Sequence, residues 1–145
     1  AAFISHLSHW SMCYEQQEES TIFEHDAIVV NHIPRHIPYK EVISIGKPSY
    51  GGHIDLKSFG VNPLTSKRYF PGAHAYRLRP VGAKKLIDQA KICAKPTDVY
   101  LNLDTFPNLQ EYYPWPVEAK DTFTTIQKRQ GCYAKHNYNE TYKII

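Results

Sequence analysis

The sequence predicts an α/β fold, a mixed sheet flanked by helices, with residues 1–145 forming a single domain. Two observations carry this. Apolar residues at helical spacing alternate along the chain with short apolar runs bounded by turn residues. A length of 145 residues also suffices for one real core and is too little for two ordinary domains.

The elements follow in order. Phe3, Ile4, Leu7, Trp10 and Tyr14 recur at helical spacing, and the stretch from Glu15 to Glu19 is a polar exit. Ile22-Phe23 and Ala27 to Val30 read as one strand interrupted by acids. Val42 to Gly46 is a short strand closed by glycine. Residues 47–73 carry Gly51-Gly52, Asn62-Pro63 and Pro71-Gly72 with little periodicity, which predicts a long functional loop or one that contains a hairpin. Ala73 to Leu78 is another strand. Pro80 then opens a helix whose apolar face is Ala83, Leu86, Ile87 and Ala90, and Lys95-Pro96 ends it. Val99-Tyr100-Leu101 reads as a short strand preceded by Asp98. The aromatic, proline-rich stretch Tyr112 to Pro116 follows, then a short helix near Phe123 to Lys128.

Composition excludes several classes. The chain is 42% hydrophobic and 21% charged, which is globular composition. A net charge of +3 with scattered basic pairs offers no stripe for nucleic acid. No apolar run approaches a membrane span, and nothing reads as a secretory signal. Cys13, Cys93 and Cys132 are odd in number and widely spaced, so a reducing compartment is expected: the cytoplasm, including its membrane periphery.

The chemistry centres on Glu24-His25-Asp26. On an extended backbone, side chains two apart share a face, so both acids would present oxygens to a divalent metal carrying a diphosphate. The alternative is that the strand ends at Phe23 and the acids are solvated or pair with a lysine. Ser5-His6 lies on the first helix; the histidine donates to a phosphate, or orients Asp26, or is a surface or capping residue. His6 and His9, or His32 and His36, have spacings that zinc sites use, but Pro34 and Pro38 argue against a helix around the second pair. Gly72-Ala73-His74-Ala75-Tyr76 puts small residues beside a histidine and a tyrosine, either for close approach of a ligand or as a turn feeding a buried strand. Asp98 is placed either as a general base or as a turn aspartate capping Tyr100. Tyr112, Tyr113 and Trp115 either stack on a sugar ring or pack onto the domain.

Taken in order, these segments resemble glycosyltransferase family 25, which includes lipooligosaccharide and collagen galactosyltransferases. The resemblance spans roughly residues 2–127. It rests on Ser5-His6 with Trp10, on Glu24-His25-Asp26 eighteen positions after that histidine, and on Ile45-Gly46. It continues through Gly72 to Tyr76, Gly82-Ala83-Lys84-Lys85-Leu86-Ile87, Pro96-Thr97-Asp98 and Pro114 to Val117. The resemblance implies a partial GT-A-like, Rossmann-like sheet and inverting, metal-dependent transfer. The donor would be a UDP-linked nucleotide sugar, the acceptor a saccharide or hydroxyl of the lipopolysaccharide-biosynthesis kind, and the metal manganese. Glu24 and Asp26 would hold the metal, Ser5, His6, His74 and Tyr76 the donor, and Asp98 would be the base.

Two departures stand out. His25 replaces the central aspartate of the family's triplet, and the strand-helix-strand unit with an Asn-Leu-Asp-Arg-type segment that opens family members has no counterpart. An N-terminally truncated domain is therefore expected, with an unpaired sheet edge through which copies associate. A non-catalytic carbohydrate- or nucleotide-binding remnant is the other expectation.

Overall fold

The computed structural model describes residues 2–49 and 51–120. Helix α1 (Ala2–Gln16) buries His6, Trp10 and Cys13, one per turn, and ends where Gln17 takes a left-handed φ of 55°. Strand β1 (Ser20–Phe23) follows, then β2 (Ala27–Val29), β3 (Val42–Ser44), β4 (Gly60–Pro63) and β5 (Ala75–Leu78). Helix α2 (Pro80–Ala90) starts on its proline and buries Gly82, Ala83 and Leu86. A Cβ on Gly82 would strike the Glu41 carbonyl, so glycine lets the helix lie directly on the segment entering β3. The single turn α3 (Thr97–Tyr100), β6 (Gln110–Tyr113) and β7 (Val117–Ala119) complete the described chain.

The main sheet has the order β1-β5-β3-β6-β4, and β2 pairs with β7 in a separate two-stranded sheet. Strand β5 runs antiparallel to both β1 and β3, β3 runs parallel to β6, and β4 returns antiparallel to β6. The fold is thus mixed α/β, as expected. Period-two alternation sorts side chains onto the two faces. Val42, Tyr76 and Leu78 join Trp10, Cys13, Ala83, Leu86 and Tyr100 beneath the helices, while Ile43, Ile45 and Ala75 pack with Ile37, Tyr39 and Val117 on the other side. Each of these large apolar side chains contributes roughly 2 kcal/mol by leaving water.

Four expectations need correction. The stretch 22–30 is not one strand: it ends at Phe23, turns through His25 and Asp26, and resumes as β2 in the other sheet. The acids therefore do not share the face of an extended backbone. The long loop 47–73 contains no hairpin of its own among its described residues; its strand β4 finds its partner in β6. The strand expected from Ala73 begins at Ala75, because Gly72 and Ala73 both take positive φ, 88° and 47°. Lastly, Val99 to Leu101 is not a strand. Tyr100 N–H bonds back to the Pro96 carbonyl at 2.8 Å and closes a helical turn. A three-residue apolar run carries no period that separates strand from helix, and burial of Tyr100 and Leu101 under α1 and α2 decides it. The helix expected near Phe123 to Lys128 lies outside the described residues.

The loop is fixed to the sheet by a buried acid. Glu111 on β6, 1% exposed, accepts the Thr65 and Ser66 N–H groups, both at 2.9 Å, and the Ser66 hydroxyl at 2.5 Å. Three donors of this kind offset the cost of burying a carboxylate. At the opposite end, β1 has β5 as its strand partner, and its other edge is unpaired among the described residues. Phe23 on β1 is exposed, as are Ile4 and Met12 on α1.

Candidate functional site

An open cleft of about 340 Å³ lies between the first turns of α1 and the end of β1, lined by Ala2, Ser5, His6, His9, Ile22, Phe23, Glu24 and His25. Three elements converge behind it. His6 Nε2 lies 3.0 Å from Glu24 Oε1, and His6 Nδ1 lies 2.7 Å from the Tyr76 hydroxyl. Trp10 Nε1 donates to that same hydroxyl at 2.9 Å. The proton positions follow from what each group can do. The indole N–H can only donate, so Tyr76 Oη accepts from it and gives its own proton to His6 Nδ1. His6 then carries its proton on Nε2 and donates it to Glu24. Burial pushes the Tyr76 phenol well above its ordinary range, so it stays a neutral donor.

This geometry sets aside the surface reading of His6 and its contact with Asp26. The histidine is 5% exposed, neither a surface residue nor an orienter of Asp26, and it holds Glu24 instead. Tyr76 is fully buried, so it reaches the cleft only through His6. Ser5 is exposed at the cleft rim.

His74 has the opposite environment. It is 2% exposed, and neither ring nitrogen makes a hydrogen bond among the described residues. Glycines on two sides admit the ring: a Cβ on Gly46 would sit 2.5 Å from its Nε2, and one on Gly72 would sit 3.0 Å from its Nδ1. Burial lowers the His74 pKa; Asp26, then Glu24, the Val117 backbone and Glu118 pull it the other way more weakly. The Val117 backbone lies near enough to the ring to favour its protonated form. Asp26 Oδ1 is also buried without a partner, while the Asp26 carbonyl accepts the Lys120 N–H at 3.0 Å and the His74 carbonyl accepts the Glu24 N–H at 2.8 Å. The turn is therefore held by its backbone, and its aspartate and the neighbouring histidine keep unused polar capacity.

Asp98 does not join this group. It lies in the first turn of α3, its Oδ1 accepts the Val99 N–H at 2.9 Å, and it does not line the cleft. That local bond is the turn-aspartate alternative, made to Val99 and not to Tyr100. Among the described residues no group of three or more His, Cys, Asp or Glu is arranged to hold a metal ion. Two carboxylates from one turn, completed by phosphate oxygens of a ligand, is the most this turn offers a hard cation. No described helix is long and apolar enough to cross a membrane.

Sequence reasoning missed the Trp10–Tyr76–His6–Glu24 connection and the anchor Glu111. Trp10 was visible as one helical turn beyond His6, but nothing along the chain pairs either residue with Tyr76, seventy positions from His6. Comparison with known proteins gives no match: no protein-family model, no curated protein and no solved structure.

Proposed function

We propose that the chain is a glycosyltransferase-like domain whose cleft at the α1–β1 junction takes a nucleotide-sugar donor with a divalent cation. The observation that supports this most is the Glu24 carboxylate on the cleft lining, held by His6 at 3.0 Å, with the buried, unpartnered Asp26 Oδ1 two residues on in the same turn. Buried polar groups rarely stay unpaired without a functional reason. Asp26 together with Glu24 would hold the cation, manganese in the family this chain resembles. When bound, such a cation supplies neutralisation of the departing diphosphate.

The chain's own residues do the rest. Ser5 and His25 on the cleft rim offer a hydroxyl and an imidazole to phosphate oxygens. His6 is a positioning residue: its bond to Tyr76 fixes the ring, and its bond to Glu24 fixes the carboxylate. A UDP-linked sugar and a saccharide hydroxyl as acceptor complete the reading. The unpaired edge of β1, which carries the exposed Phe23, supports association of two copies there. Sedimentation over a wide concentration range tests that; a monomer throughout removes it.

A second reading, binding without turnover, has specific support. Asp98, expected as the base, lies away from the cleft lining, and His25 contributes no carboxylate. Calorimetry with UDP and manganese on the parent chain and on Asp26→Ala tests the site itself. Binding by the parent and its loss in the variant is expected; equal binding by both, or none by either, removes the assignment. Donor hydrolysis with excess manganese then separates the two readings, since a pure binder shows none above buffer.

A further inference from the structure

The sheet face turned away from the helices carries a second charged group, at the start of β1. Arg77 on β5 stands opposite Thr21 of β1 and is 8% exposed. Its Nη1 donates to the Arg35 carbonyl at 3.1 Å, and its Nε is buried with no hydrogen-bond partner among the described residues. Tyr39, 2% exposed, lies with its ring under the Arg79 guanidinium, whose Cζ is 4.8 Å from the ring centre. The Tyr39 hydroxyl is likewise buried without a hydrogen-bond partner. Burial first, and Glu19 after it, push this phenol well above its ordinary range, so it stays protonated and keeps a proton to donate.

Glu19, the residue before β1, stands between the two arginines. Its Oε1 is 4.0 Å from Arg77 Nη1 and its Oε2 is 3.8 Å from Arg79 Nε, ion-pair contacts longer than hydrogen bonds. The group is unbalanced in one direction. Two guanidinium charges face one carboxylate, and the two unused buried atoms, Arg77 Nε and Tyr39 Oη, both carry protons. What would complete them is an acceptor with negative charge. Buried donors left without one cost free energy that a ligand can return. The parts also differ in freedom: Arg77 and Tyr39 are packed in place, whereas the Glu19 side chain is 37% exposed and can turn out to water.

We propose that Arg77, Arg79 and Tyr39 form a binding site for a phosphate dianion, free or as the end of a monoester, with Glu19 as the resident anion that the ligand displaces. Charge selects among anions. With Glu19 turned out, two guanidinium groups match the two charges of a phosphate, while a monocarboxylate leaves one unmatched. The site is distinct from the cleft, because Glu19 precedes β1 and the cleft is lined by Ile22 to His25 at the other end of that strand. It requires neither the nucleotide sugar nor the cation of the reading above.

Calorimetry on the full chain at about pH 8, where phosphate is a dianion, tests it with inorganic phosphate, glycerol phosphate and formate, a chelator being present throughout. Both phosphates should bind the parent, with formate at least about tenfold weaker. Glu19→Gln removes the competing charge and should tighten phosphate binding about tenfold; Tyr39→Phe and Arg79→Gln should each weaken it about tenfold. Arg79 is 43% exposed and Tyr39→Phe removes one oxygen, so both variants should keep the fold, which urea midpoints check. His25→Ala, on the cleft rim, should bind phosphate like the parent. Tighter binding of glycerol phosphate than of the free ion assigns a monoester as the ligand, and the reverse assigns the free ion. No phosphate binding by the parent or by Glu19→Gln overturns the proposal. So does weaker binding by Glu19→Gln, unchanged binding by Arg79→Gln, loss of binding in His25→Ala, or formate binding as tightly as phosphate.

Discussion

Two buried histidines at β5 make the most useful contrast in this protein. His6 packs against Tyr76 and has both ring nitrogens in hydrogen bonds; His74, two residues before Tyr76, has neither. Both are almost excluded from solvent. A satisfied network of this kind rigidifies what it joins, here α1, β1 and β5, and uses both ring nitrogens of His6. An unsatisfied pair costs free energy in the empty protein and returns it when a partner arrives. The first region is therefore scaffold for Glu24, and the second is where ligand chemistry has capacity.

The sharpest way to break the contrast is to unsatisfy the satisfied side. Tyr76→Phe removes the one atom that takes the Trp10 N–H and supplies His6 Nδ1, leaving two buried groups without partners. A loss of about 2–4 kcal/mol in urea unfolding is expected, with His6 freed to rotate from Glu24. A loss under about 1 kcal/mol would mean that water replaces the hydroxyl and the network is not rigid.

On the other side, Gly46→Ala drives a methyl into the His74 ring, since its Cβ would lie 2.5 Å from Nε2. Overpacking of this kind costs about 1–3 kcal/mol. A neutral result would show that the ring has room to move, and so that the glycine does not fix it.

Smaller and opposite in sign, His74→Leu should stabilise the empty protein by about 1 kcal/mol, because an unpartnered polar ring is replaced by an apolar side chain of similar size. The same variant should weaken UDP–manganese binding. Destabilisation instead would show that His74 already has a partner in the ligand-free protein.

How far the sequence carried these arguments differs by region. The helices were legible because Phe3 to Tyr14 and Ala83 to Ala90 repeat at 3.6 residues, and Pro80 and Pro96 punctuate the second helix and its exit. At Glu24 the sequence offers a continuous strand or one that ends at Phe23, because apolar residues flank the acids on both sides; the second holds, and which sheet each flank joins is fixed by β5 and β7, more than forty residues away. For Asp98 the sequence offers a base and a turn aspartate, and the run after it is too short for periodicity to decide between them; the local bond to Val99 does. At the site, Ser5, His6, Glu24, Asp26, His74 and Tyr76 are all legible as candidates in the sequence; Ser5, His6 and Glu24 line the cleft, and Asp26, His74 and Tyr76 do not. Which of them is spent on scaffold and which has capacity left is a matter of hydrogen-bond partners, and those pairings cross seventy residues.

The smallest effect is a pH dependence, and it comes from His74. Burial holds its pKa below the ordinary value of about 6.5, against weaker opposite pulls from Asp26, Glu24, the Val117 backbone and Glu118. Near neutrality the ring is uncharged in both folded and unfolded chains and contributes no slope. As pH falls through the ordinary value, the unfolded chain takes a proton that the folded chain still refuses. The unfolded state then binds more protons, so stability declines with acid until the folded-state pKa is reached, and levels off below it. Urea midpoints measured across that window should therefore fall more steeply for the parent than for His74→Leu. The difference between the two curves isolates this histidine from the seven others in the chain. Parallel curves would place His74 in contact with water or an acceptor and would erase its contrast with His6.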